Sequence, residues 1–155
     1  MHITHNAQHI AHNARFYVGD VLDLGKISEN NFDYIFSVAV LHHIPGRDLR
    51  IKALQEMKKK LNQDGKIFLT VWNLWGQGKF VKMILKFWLL VLVGKNKMDF
   101  GDILFAWKNK RGESVSRRYY HAFTKRELAR TVGLAGLKIE KTSKDKYNYY
   151  LVLTA

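Results

Sequence analysis

An α/β fold is predicted by three features of this 155-residue chain. Residues 32–39, FDYIFSVA, form a nearly unbroken apolar run of strand length. Residues 47–61 carry Ile51, Leu54, Met57 and Leu61 at helical spacing. Residues 66–72, KIFLTVW, form a second strand-like run. Strand, helix and strand at this separation make a βαβ unit, with parallel strands and both sheet faces covered.

Each element has a local reason. Residues 15–18, RFYV, read as a short strand ended by Gly19-Asp20. In the helix, Glu56 stands one turn before Lys60, and Lys58, Lys59 and Lys60 crowd the end where the dipole favours cations. Gly65 fits a stop or turn. Residues 80–93 are apolar apart from Lys82 and Lys86; a helix of that length is roughly 21 Å long, short of a bilayer core. The region 74–118 is otherwise a loop rich in aromatic and basic residues and reads as a substrate-side insertion in a single domain spanning 1–155. Thr124 and Glu127 have capping-box spacing, with Phe123 and Leu128 at the staple positions, so a helix starts there and ends near Gly133. Residues 137–141 and 149–154 close the chain as an antiparallel strand pair.

Composition narrows the chemistry. Lys and Arg number 26 against 13 Asp and Glu, a formal charge of +13, which attracts polyanions such as nucleic acid or an acidic membrane face. There is no cysteine, which removes disulfides, thiolate catalysis and Cys-based metal sites and fits the cytoplasm. No signal peptide is legible. His2, His5, His9 and His12 have helical spacing, but neither they nor His42-His43 are expected to hold a metal.

In an open α/β sheet, ligands bind beyond the carboxyl ends of the strands. Two such ends carry polar or small residues: Gly19-Asp20, and Ser37 through His43. Together, VGDVLDL and FDYIFSVAVLHHIPGRDLRIKALQEMKKKLNQDGKIFLTVW resemble the S-adenosylmethionine-dependent methyltransferases with a seven-stranded, doubly wound Rossmann-like sheet. The segments DILFAWK at 102–108 and RRYYHAF at 117–123 resemble the tRNA wobble-uridine methyltransferases, which turn a carboxymethyl group on uridine into its methyl ester. That family shows D-x-x-V-P-W where this chain has Ala106 in place of proline.

The resemblance implies S-adenosylmethionine as cofactor, held by Asp20 and Val21 at the adenine and by Ser37, Val38, Ala39 and His42 near the methionine half. It implies tRNA gripped by Trp107, Arg117, Arg118, Tyr119, Tyr120 and His121, with the run 108–111 adding phosphate contacts. Of His42 and His43, one would line the pocket and the other pack inward. An amine or carbon acceptor would need a base, and His43 or His121 are the candidates; a carboxylate acceptor needs none. The family's glycine-rich loop and ribose-binding acid are not found. The chain is therefore expected to be N-terminally truncated or half of a split protein, to lack the first strands of the sheet, and to bind cofactor weakly alone. Of the family order 3-2-1-4-5-7-6, the run 4-5-7-6 would remain contiguous. The missing half or a small activator protein would be a partner. Two alternatives stay open: a methyltransferase of quinone- or lipid-type small molecules, and a non-catalytic remnant that binds RNA or a partner.

Overall fold

The computed structural model describes residues 14–95, 98–108, 111 and 114–155. A four-stranded mixed sheet is built from β1 (Phe32–Val38), β2 (Leu61–Trp72), β5 (Lys138–Lys144) and β6 (Asn148–Thr154), in the order β1-β2-β6-β5. β1 and β2 are parallel, with Ile35 opposite Ile67 and Val38 opposite Thr70. β6 runs antiparallel to both neighbours. This is the contiguous order expected from the sequence.

Helix α1 (Arg47–Lys60) joins β1 to β2, and α3 (Lys125–Leu134) precedes β5. Leu54 and Met57 of α1 and Leu128 and Val132 of α3 meet Ile67, Leu69, Val71, Leu151 and Leu153 of the sheet in one buried core. Asp48 lies in the first turn of α1 and Lys58, Lys59 and Lys60 in its last, each matching the dipole. Thr124 caps α3 as predicted, its Oγ1 accepting from the Glu127 N–H at 3.1 Å.

A second, smaller core lies over the far end of the sheet. Helix α2 (Gly78–Leu92) packs on a two-stranded antiparallel hairpin of β3 (Asp102–Lys108) and β4 (Ser114–His121). Leu74, Phe80, Ile84, Ile103, Tyr120 and Ala122 are buried there. No helix among the described residues is long and apolar enough to cross a membrane.

Several expectations need correction. Residues 15–18 are not a strand; Phe16, Tyr17 and Val18 are exposed, with no strand beside them among the described residues. Among the described residues the sheet is not covered on both faces. Tyr34, Phe36 and Val38 of β1 are 61%, 68% and 65% exposed, because β1 is an edge strand and both sheet-packing helices lie on the other face. The loop read across 102–118 is the hairpin. Glu56 pairs with Lys59 at 2.6 Å, while Lys60 turns to the Ile27 carbonyl and the Asn30 side chain. Gly65 is not a helix stop but a strand residue: a Cβ there would stand 2.7 Å from the Phe32 carbonyl oxygen.

Candidate cofactor and substrate site

Because β1 and β2 are parallel, their carboxyl ends lie side by side. Ala39 follows β1 with φ of +57°, a left-handed conformation that a non-glycine residue adopts at a cost. Its N–H is held by Thr70, with carbonyl and hydroxyl oxygens each at 3.1 Å. Just before it, Ser37 is buried and its Oγ has no partner among the described residues. A turned-out backbone, small side chains and an orphaned hydroxyl fit a ligand seated against the strand end.

Residues 20–30 run beside α1 without being a strand. The Asp20 carbonyl accepts from the Asp23 N–H at 2.9 Å, and the Asp20 carboxylate accepts from the Leu22 N–H at 2.9 Å, shaping a tight turn. Glu56 accepts from the Leu24 N–H at 3.2 Å, and Lys60 donates to the Ile27 carbonyl at 2.5 Å. The C-terminal half of α1 thus holds residues 24–27. Asp20 stays exposed, and Val21 packs against the main core.

The histidine pair divides. His42 is fully buried; Trp72 donates its backbone N–H to Nδ1 at 3.3 Å, and the ring stacks on Trp72 at 5.0 Å and on Tyr120 at 5.9 Å. Burial, with smaller contributions from His43 and His121, lowers its pKa to about 3, so it is a neutral packing residue. His43 is exposed, with its ring 4.7 Å from Tyr120.

Beside this lies an aromatic pocket of about 270 Å³. Trp72, Phe80, Phe105, Tyr120 and Tyr147 line it together with Lys79. Trp72 and Tyr120 stack at 5.2 Å with an interplanar angle of 13°. Of these, only Tyr120 is singled out by the sequence. Trp72 carries a signal, as the aromatic at the tip of a predicted strand; Phe105 and Tyr147 carry none, since only the tertiary fold brings them together.

Behind the pocket, a buried polar network ties the hairpin to both sheet-packing helices. Arg50 of α1 is 1% exposed. It donates to the Ile44 carbonyl at 3.3 Å and to the Tyr119 hydroxyl at 3.0 Å, and lies 3.9 Å from Asp102. Tyr119 in turn donates to Asp102 at 2.5 Å. His121 is fully buried between Asp102 at 2.6 Å on Nδ1 and Glu127 at 2.7 Å on Nε2. Burial alone would lower the His121 pKa, but the hydrogen bonds to the Asp102 and Glu127 carboxylates turn the net shift upward. Burial, then the bond to Asp102, raises the Tyr119 pKa. Glu127 therefore serves His121 and does not complete the capping box that its spacing implied.

Of the residues expected to grip substrate, Tyr120 faces the pocket and Arg117 an adjoining cleft. Arg118 is exposed on β4, and Tyr119 and His121 belong to the network. Trp107 sits on β3 opposite Ser116, and its side chain lies outside the described residues, as do Asn109, Lys110 and the histidines of 1–13.

Comparison with known proteins bears on the family resemblance and the fold. Residues 2–69 match the family described as a methyltransferase domain. A protein of Encephalitozoon cuniculi with a provisional methyltransferase name is 32% identical over 135 residues, covering 87% of this chain and 58% of its own length. The tRNA (carboxymethyluridine(34)-5-O)-methyltransferase of Schizosaccharomyces pombe is 29% identical over 141 residues, covering 79% of this chain and 57% of its own. The chain thus spans somewhat over half the length of these relatives. Among solved structures, a SAM-dependent methyltransferase from Methanosarcina mazei superposes with a TM-score of 0.68 at 17% identity, covering 90% of this chain and 66% of that one. The fold is that of the Rossmann-like methyltransferases.

Proposed function

We propose that this chain, matched to the methyltransferase domain over residues 2–69 and Rossmann-like in fold, works in S-adenosylmethionine-dependent methyl transfer to a carboxymethylated wobble uridine of tRNA. The observation that carries the reading is the aromatic pocket beyond the carboxyl end of β2, where a flat base can stack and one cation, Lys79, stands at the wall. The similarity to the fission-yeast enzyme supports the choice of acceptor.

Ser37, Val38 and Ala39 would hold the methionine half of the cofactor, and Asp20 and Val21 the adenine. When bound, S-adenosylmethionine supplies an electrophilic methyl group. The chain's own task is alignment and exclusion of water. Trp72 and Tyr120, already stacked on each other, present a rigid wall to the base. Lys79 lies 4.8 Å from the centre of the Phe80 ring and 5.9 Å from that of Phe105, at the pocket's edge, where it faces the charge of an acceptor carboxylate. That carboxylate is ionised at neutral pH and needs no base. The state of the histidines agrees: His42 is buried and neutral, and both ring nitrogens of His121 are engaged by carboxylates.

The test is transfer of labelled methyl from S-adenosylmethionine to tRNA carrying 5-carboxymethyluridine, followed by mild alkali. The expected product loses its label in alkali, as an ester must, and tRNA lacking the carboxymethyl group gains none. Alkali-stable label, or label on a quinone acceptor in its place, would overturn the reading.

A further inference from the structure

A cleft of about 650 Å³ lies between α2 and the β3–β4 hairpin. It is lined by Lys79, Lys82 and Lys86 of α2 and by Arg117 of β4, over a floor of Leu104 and Ala106 with Phe87 on one side. The three lysines recur at intervals of three and four, so they share one helix face and span roughly 10 Å along its axis. Among the described residues no acidic side chain lines the cleft, and α2 contains none. Ala106 lies directly across from Arg117 in the hairpin register, and both line the cleft. Lys79 lines both this cleft and the aromatic pocket.

We infer that this cleft is the track for the phosphate backbone of a single-stranded RNA segment, carried by Lys82, Lys86 and Arg117, which delivers its base past Lys79 into the aromatic pocket. The inference rests on the reading of tRNA as substrate and adds to it the residues and the direction of approach. A concave row of cations beside aromatic rings is the arrangement by which proteins hold unpaired strands, with charge following the backbone and rings taking the bases. A lipid surface would need a flat or convex cationic face; here the cations line a concavity. The exposed apolar residues of α2, such as Leu89 and Leu92, do not line the cleft.

The experiment measures fluorescence anisotropy of a labelled anticodon stem-loop RNA against the full chain over a series of salt concentrations. Lys82→Ala, Lys86→Ala and Arg117→Ala should each weaken binding several-fold and flatten the salt dependence by about 0.7 in log–log slope for each phosphate no longer neutralised. Lys52→Ala and Lys138→Ala, on exposed lysines elsewhere, should change little. Equal weakening by all five variants would mean diffuse charge and overturn the inference. So would unchanged binding in the cleft variants, or association with anionic phosphatidylserine vesicles and none with RNA. RNA binding insensitive to the cleft variants, together with alkali-labile methyl transfer, would sink the cleft and leave the substrate reading standing.

Discussion

At the scale of single residues, the buried network sets how the protein responds to acid and base. His121 has a raised folded pKa, so its stabilising contribution is complete below the ordinary histidine range and is lost as pH rises through the folded value. His42 has the opposite sign: held neutral down to about pH 3, it destabilises progressively as pH falls below the unfolded value of roughly 6.5. Thermal melts across pH should therefore show a dome, with His121→Gln flattening the alkaline limb and His42→Phe the acid limb. Arg50 is the third control point. Arg50→Met removes one of the two positive partners of buried Asp102, leaving His121, together with the donor to the Tyr119 hydroxyl, and is expected to cost about 3 kcal/mol in denaturant unfolding. Ala39 is strained in place, and Ala39→Gly should relieve about 1 kcal/mol of that strain, read as a higher melting temperature.

At the scale of elements, the pairing of β2 with β1 depends on Gly65. Gly65→Ala drives a methyl group into the Phe32 carbonyl, so urea unfolding should move to lower denaturant, and the effect should exceed the ~1 kcal/mol expected from Thr124→Ala at the cap of α3. What is legible in the sequence follows from how far apart the deciding residues lie. The βαβ unit, the Thr124 cap and the closing strands each depend on neighbours within a turn or a short run, and they are readable. The β3–β4 hairpin is not, because Arg117, Arg118, Tyr119 and Tyr120 show no apolar alternation. Their pattern makes sense only once Tyr120 faces the second core and Tyr119 reaches Asp102. His121 stands out in the sequence as unusual, but its role depends on Asp102 and Glu127, which spacing alone assigns to a loop and a capping box.

At the scale of the whole molecule, β1 forms an edge of the sheet and carries Tyr34 and Phe36 toward solvent, with Phe36 stacked on Phe68 at 4.9 Å. An apolar edge strand recruits further strands. Sedimentation should show self-association that rises with concentration and recedes when Tyr34→Lys and Phe36→Lys are combined. The position of β6 has its own consequence. It is the latest of the described strands in chain order, yet it sits inside the sheet, placing Leu151 against Leu69 and Leu153 against Ile67. As the polypeptide emerges from the ribosome, β1, α1 and β2 can assemble early. β2 then keeps one flank bare until residues 148–154 clear the exit tunnel. Translation must run through residues 148–154 before the sheet can close, so a nascent chain stalled ahead of them leaves that flank of β2 open to pairing with other chains.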